Sequence, residues 1–129
     1  MKKLSLSKEK QKAWKAFSLW VRLSAADYHG FVRCITCGCV KHYKEMQSGH
    51  FIPGRLNAVL FSEEGVHPQC YQCNVGKNGN WPSYYEWMKG MYGLEVIDQL
   101  IYEARQPKKY TVEDYQNIYI DYSERIKSL

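Results

Sequence analysis

Two Cys-x-x-Cys pairs, Cys34/Cys37 and Cys70/Cys73, are the residues whose spacing points most directly to chemistry. A thiolate pair two residues apart grips one metal ion from a tight turn. Two such turns supply the four tetrahedral sulfur ligands of a closed structural zinc site; an iron–sulfur site draws on the same residue type. Between the pairs lie 32 residues, Gly38 to Gln69, more than the roughly 15–20 of a simple zinc ribbon. The two knuckles therefore carry something between them, and it contains His50. An imidazole titrates near neutral pH and suits proton transfer, although a lone histidine is also a common satisfied structural residue.

His67 reads as a strand residue, an alternative zinc ligand or a member of a site. Asn74 either braces the second knuckle or ligates a metal. Arg55 and Lys77 flank the insert and could hold phosphates or simply be solvated. Cys39 lies too close to Cys37 to replace it easily and reads as a spectator.

The elements that must position these groups follow from periodicity and punctuation. Ser7 can cap a helix to about Asp27, with Ala13, Trp14, Phe17, Trp20, Val21 and Ser24 at helical spacing and Lys8, Lys12, Lys15 and Arg22 on the other face. Tyr28-His29-Gly30 ends it, and Phe31-Val32-Arg33 leads into the first knuckle, where Gly38 permits the sharp turn. Met46–Ile52 and Asn57–Phe61 read as two short strands around the Pro53-Gly54 turn. A second turn at Glu63-Glu64-Gly65 precedes Val66–Gln69, the entry to the second knuckle. A weak helical segment follows Cys73. Pro82 then opens a helix to about Tyr92 that stops at Gly93. Leu94–Arg105 forms another helix on Ile97, Leu100, Ile101 and Ala104. Thr111 and Asp114 cap a last one carrying Tyr115, Ile118, Tyr119, Tyr122 and Ile126.

At 129 residues the chain suits one domain helped by a metal staple. It divides into a basic helix (1–30), a zinc-bound core (31–80) and C-terminal helices (81–129). Five cysteines, an odd number, with no leader, favour a reducing compartment in which metal claims them. Lys8, Glu9, Lys10 and Lys12 interrupt any signal-like apolar run, and no stretch has the length of a membrane span. The expectation is a soluble cytoplasmic protein without a membrane partner. The net charge of +5 is uneven: residues 1–33 hold eight Lys/Arg against two acids, +6, leaving −1 for the remainder. That field would hold a polyanion through the N-terminal segment, or belong to a solvated helix face.

Cys34-Ile35-Thr36-Cys37-Gly38, Gln47-Ser48-Gly49-His50-Phe51-Ile52, Val66-His67-Pro68-Gln69-Cys70-Tyr71-Gln72-Cys73-Asn74 and then Gly79-Asn80 occur in one order. In that order they resemble the NinG/Rap recombination proteins of lambda-like bacteriophages. Those proteins are similar to the wider HNH, or ββα-metal, endonucleases. The resemblance covers residues 34–80. It implies a small α+β fold: a zinc-stabilised ββα-metal (HNH-like) core with flanking N-terminal and C-terminal helices.

It also implies an activity, metal-dependent endonuclease action on branched DNA such as a Holliday junction, in the host-cell cytoplasm. His50 would be the general base toward water. Mg²⁺ or Mn²⁺ would polarise the phosphate, with Asn74 where the family pattern ends in His or Asn, and His67 and Asn80 as weaker candidate ligands. Lys8, Lys12, Lys15, Arg22, Arg55 and Lys77 would contact DNA. The chain departs from the pattern twice. Gly49 stands where many HNH enzymes carry an acid, and Gly65 stands at the middle Asn, so Glu63 or Glu64 is left to supply the absent charge.

Two other functions fit the same residues: a zinc-stabilised DNA-binding or accessory module without cleavage, and a zinc-stapled protein-interaction domain. A homodimer stays open.

Overall fold

The structure is a computed structural model describing residues 4–129, so Lys2 and Lys3, two of the basic residues counted above, lie outside the described residues. Helix α1, Leu6–Ser24, starts from Ser5, whose hydroxyl accepts the Lys8 amide at 3.4 Å. The cap is therefore Ser5 rather than Ser7. The helix ends before Asp27 because that carboxylate accepts the amides of His29 and Phe31, each at 2.9 Å, and turns the chain out of helical geometry.

Ala13, Ala16, Phe17, Ser18 and Val21 are buried, Trp14 and Trp20 are half-buried, and Ser24 is exposed. Ser24 thus leaves the expected stripe and Ser18 joins it. The stripe packs on the last helix, α4 (Val112–Lys127), where Phe17 meets Tyr122 edge-to-face at 4.9 Å. Thr111 and Asp114 form a reciprocal capping box for α4, satisfying two orphan helix donors.

Two small antiparallel sheets lie between. Phe31–Arg33 (β1) pairs with Val40–His42 (β2), so the expected lead-in to the first Cys-x-x-Cys turn is one strand of a hairpin wrapped around it. Gln47–His50 (β3) pairs with Val66–Gln69 (β4), in the register Ser48 opposite Pro68, Gly49 opposite His67 and His50 opposite Val66.

The expected strand at Asn57–Phe61 is not formed. Asn57–Val59 makes a short 3-10 turn that drops Val59 and Leu60 into the core, and the partner of the His50 strand comes from the segment read as a mere entry to the second knuckle. An apolar run such as Ala58-Val59-Leu60-Phe61 suits a buried turn as well as a strand.

The sheet β3–β4 is covered on both faces. Side chains alternate along a strand, so Ser48, His50 and Val66 face α1, where Ser18 bonds to Ser48 at 2.8 Å and Phe17 shares a core with Val66. Gly49 and His67 face α2 (Trp81–Tyr92), whose Tyr84 hydroxyl donates to the Gly49 carbonyl at 2.8 Å. Phe51, Val59, Tyr84 and Met88 form the core beneath α2, with Ile97 and Leu100 from α3 (Leu94–Ala104). Among the described residues, no helix is long and apolar enough to cross a membrane.

Candidate metal centre and the His50 cavity

The four knuckle cysteines converge. The sulfurs of Cys34, Cys37, Cys70 and Cys73 lie within 4.8 Å of one another, and those of Cys37 and Cys70 are 3.7 Å apart. Tetrahedral zinc–sulfur bonds of about 2.3 Å require sulfurs about 3.8 Å apart, so the donor set fits a structural zinc ion.

The surroundings support thiolates. The Cys73 amide points at the Cys70 sulfur at 3.4 Å, and the Asn80 side-chain amide at the Cys73 sulfur at 3.5 Å. Gln69 donates to the Thr36 hydroxyl at 3.1 Å, which leaves that hydroxyl free to donate to the Cys34 sulfur at 3.2 Å. Burial opposes ionisation of Cys34, yet the Thr36 hydroxyl and nearby amides outweigh it and draw the thiol down to about 6.

Asn80 therefore serves the cysteine cluster, and this geometry keeps it away from the His50 cavity. Its positive φ of 48° places its carbonyl to accept the Tyr84 amide and begin α2.

A second constellation opens at the free edge of β3. A cavity of about 190 Å³ is lined by Ser48, His50, Pro53, Gly54, Arg55, Asn74, Asn78 and Gly79. Ser48, Arg55 and Asn74 also line an adjoining hollow with Trp14, Ser18 and Arg22. His50 is half-buried, and its Nε2 lies 3.1 Å from the Leu60 carbonyl. A carbonyl only accepts, so Nε2 carries the proton and Nδ1 keeps the lone pair. Burial lowers the His50 pKa, the Leu60 bond raises it and Arg55 lowers it again, for a net shift below the ordinary 6.5.

Trp14 stacks on the imidazole at 5.1 Å and 19°, and the Arg55 guanidinium lies 4.4 Å from the centre of the same indole. This contact holds Arg55 at the cavity wall, in a left-handed backbone conformation with φ 50°. Trp14 was not among the residues singled out for the site; its helical spacing read as core, and only the fold brings it to His50. Arg22 is half-buried, with Nε on the Ser18 carbonyl at 3.1 Å and Nη1 on the Tyr43 carbonyl at 2.9 Å. Asn74 donates to Gln47 Oε1 at 2.7 Å, which orients its amide.

Other sequence candidates fall elsewhere. His67 is on the opposite face of the sheet, in a hollow with Trp20, Glu63, Glu64 and Tyr92. Its Nε2 meets the Glu64 carbonyl at 2.8 Å and its ring packs edge-on to Trp87 at 4.5 Å. It braces the turn before β4. Register parity explains this, since His67 is opposite Gly49 and cannot share a face with His50.

Gly65, at the place of the usual Asn, is secured by the Ser62 hydroxyl at 3.1 Å and by its carbonyl accepting the Phe51 amide at 2.8 Å. Glu63 accepts from Tyr122 and Arg125, and Glu64 lines the His67 hollow, so neither brings a carboxylate to His50. Lys77 is exposed and absent from the cavity lining; Lys8 and Lys15 are exposed on α1. Lys12 turns toward α4, 4.7 Å over the Tyr119 ring.

The glycine before His50 has a steric cause. A Cβ on Gly49 would sit 1.8 Å from Gln69 Oε1 and 3.0 Å from Asn74 Oδ1. Gln69 cannot swing away cheaply, because its Nε2 is held by Thr36 and by the Gly79 carbonyl at 2.9 Å. Gly49→Asp, which would restore the usual acid, is accordingly expected to lower the thermal midpoint, since overpacking costs about 1–3 kcal/mol. Calorimetry checks this; an unchanged midpoint would show that Gln69 yields.

The cavity lining holds no carboxylate, two neutral amide oxygens at Asn74 and Gln47 lie beside it, and Arg55 and Arg22 border it. Mg²⁺ is usually held by one or two carboxylates plus substrate phosphates, so these residues do not form a site for Mg²⁺ or Mn²⁺ by themselves.

The fold and site thus define a small α+β protein with a cluster of four cysteines able to hold a structural metal and a neighbouring histidine cavity. A match to the family described as the bacteriophage lambda NinG protein runs over residues 1–129, and the chain belongs to that family. Neither the curated proteins nor the solved structures offer a match to the chain.

Proposed function

We propose that this protein is an endonuclease of phage recombination that hydrolyses phosphodiester bonds in branched DNA, built on an HNH-like ββα core. The observation that carries the reading is His50. Its Nε2–H is committed to the Leu60 carbonyl, its pKa is depressed, and its ring lines a cavity with Arg55, next to a hollow that holds Arg22. A neutral imidazole with a free Nδ1 can take a proton from water as the water oxygen attacks phosphorus and the bond to the 3′ oxygen breaks. Arg55 and Arg22 suit the non-bridging phosphate oxygens, as guanidinium groups match phosphate geometry.

Helical geometry extends this surface. Steps of 100° per residue put Lys8 and Lys15 on one line with Arg22, at the margin of the Trp14–Ser18–Arg22 wall. These cations would track the DNA backbone outside the cavity. Asn74 is the remaining candidate for contact with a divalent ion brought in with the phosphate.

A second reading, a non-catalytic DNA-binding module of recombination, is favoured by one observation: the lining has no carboxylate. Incubating purified, zinc-loaded protein with end-labelled four-way junctions and linear duplex, with and without Mg²⁺ or Mn²⁺, separates the two. Cleavage of the junction in preference to the duplex is expected. Tight binding with no cleavage under any metal leaves the binding module.

A further inference from the structure

Among the described residues, the most exposed large hydrophobic side chain is Tyr28, at 98%. It belongs to a turn that is rigidly made. Besides the two bonds accepted by the Asp27 carboxylate, the Asp27 amide donates to the Phe31 carbonyl at 2.8 Å and the Gly30 amide to the Asp27 carbonyl at 3.0 Å. Gly30, at φ 87°, closes the turn, and a Cβ there would meet the His42 ring at 2.9 Å. An apolar-bodied ring held fully in water by five-residue hydrogen bonding contributes nothing to the core.

Its neighbours share the character. On the outward face of the β1–β2 hairpin, Phe31 and Val40 are 45% and 51% exposed, and Phe31 and His42 meet edge-to-face at 5.7 Å. Residues 28–44 include Arg33, Lys41 and Lys44, with Asp27 and Glu45 bracketing the run, and Lys41, opposite Val32, lies on the hairpin's other face. The flanking Asp27 turns one carboxylate oxygen onto the backbone amides of the turn. Exposed rings set among cations with no intervening acid are the two ingredients of single-strand binding, since bases stack on aromatic faces while Lys and Arg hold the phosphates.

Hydrogen bonds tie this turn to α1, which walls the hollow adjoining the His50 cavity. Arg22, on the cavity's second hollow, donates to the Tyr43 carbonyl, and the Tyr43 amide donates to the Gly30 carbonyl at 2.8 Å. From Trp14 to Arg22 the wall of α1 runs about 12 Å at 1.5 Å per residue.

We infer that the Tyr28–Phe31 turn and the outward face of the β1–β2 hairpin bind unpaired nucleotides, so that the protein engages the single-stranded part of a branched substrate. This rests on the nucleic-acid reading above and adds where, and to which feature of the DNA, the protein attaches. The rings supply stacking without sequence preference, and Arg33, which shares the outward face with Phe31, together with Lys44 just beyond β2, supplies the phosphate contacts.

The test uses the full chain in its zinc-loaded form with no added Mg²⁺ or Mn²⁺. Fluorescence anisotropy would be read for oligothymidine, a fork with unpaired arms and a blunt duplex. Tyr28→Ala and Phe31→Ala are each expected to weaken oligothymidine and fork binding about tenfold, with duplex affinity unchanged. Tyr28→Phe, which keeps the ring, should bind like the parent. Zinc content and thermal midpoint identify any variant that fails to fold, and the exposed Tyr28 is the site least coupled to folding. Equal affinity of Tyr28→Ala and parent for all three ligands overturns the inference. Because the readout is binding, a protein that holds forks through Tyr28 but never cleaves refutes the nuclease alone, and one that cleaves junctions with no preference for unpaired arms refutes the platform alone.

Discussion

His50→Ala is expected to slow DNA cleavage by about 10²- to 10⁴-fold, the range for loss of a general base, while zinc content and DNA affinity stay close to those of the parent. The separation follows from where each task is located. In the proposed reaction proton transfer needs the Nδ1 lone pair and the phosphates would be held by Arg55 and Arg22, whereas the knuckle sulfurs form a separate cluster. An interaction made only in the transition state lowers turnover and leaves KM in place. Removing the imidazole also removes its bond to Leu60 and its stacking on Trp14, so a stability loss on the order of 1 kcal/mol accompanies the change. Full activity in the variant, on the same junction with the same metal, would remove His50 from the mechanism.

The pH dependence is a second readout of the same residue. The folded pKa of His50 is below 6.5, chiefly because burial penalises the imidazolium, so the base is already unprotonated at neutral pH. Cleavage is expected to hold steady from pH 7 upward and to fall only as the medium drops through the depressed pKa. Stability follows the same direction. The folded pKa values of His50 and His67 are both lowered first by burial, and the unfolded chain takes up their protons first. The stability they contribute is present above pH 6.5 and is lost as pH falls through the folded values.

Local signals were the legible part of the fold. Thr111 with Asp114, Pro82 at the start of α2 and Gly93 at its end mark helix boundaries through groups that act within one turn, and the helices stand near those marks. Where pairing decides, the sequence was ambiguous. Strands as short as Phe31–Arg33 and Val40–His42 are separated by a cysteine turn whose composition shows a metal site and conceals a hairpin. The run at Asn57–Phe61 has strand composition but is consumed by the core.

The site shows the same division. Two knuckles and the insert carrying His50 are readable because metal ligation fixes local spacing. The side of the sheet that His67 takes depends on a register set 18 residues away, at Gly49. Trp14 reaches His50 only because α1 crosses the outer face of β3. The acid missing before His50 reads as a gap in the motif, but Gln69 fills the volume that such an acid would need.

Removal of zinc is the other large effect. Stripping the metal with a strong chelator, or replacing Cys70 by Ser, is expected to unfold the part of the chain from β1 to the start of α2. In that region Val32 and Met46 pack directly against Cys34, Cys70 and Cys73, and the core they make is small. Structural zinc binding contributes about 10–16 kcal/mol in small modules, whereas whole domains are stable by about 5–15 kcal/mol. Without the ion, four sulfurs within 4.8 Å of one another would have to be brought together by that small core alone. The loss propagates to the site, because Gln69 and Asn74 flank two of the ligands, Cys70 and Cys73, and shape the Gly49 edge of β3. The α1–α4 pair has its own aromatic core around Phe17 and Tyr122 and should keep part of its helical signal. Elemental analysis should find one zinc per chain in the parent and in Cys39→Ser, and a sharp loss in Cys70→Ser. Protection from amide exchange should be lost first over β1 to β4. A zinc-free protein with an unchanged thermal midpoint would show that the sulfurs hold no structural metal, and loss of zinc in Cys39→Ser would place that cysteine among the ligands.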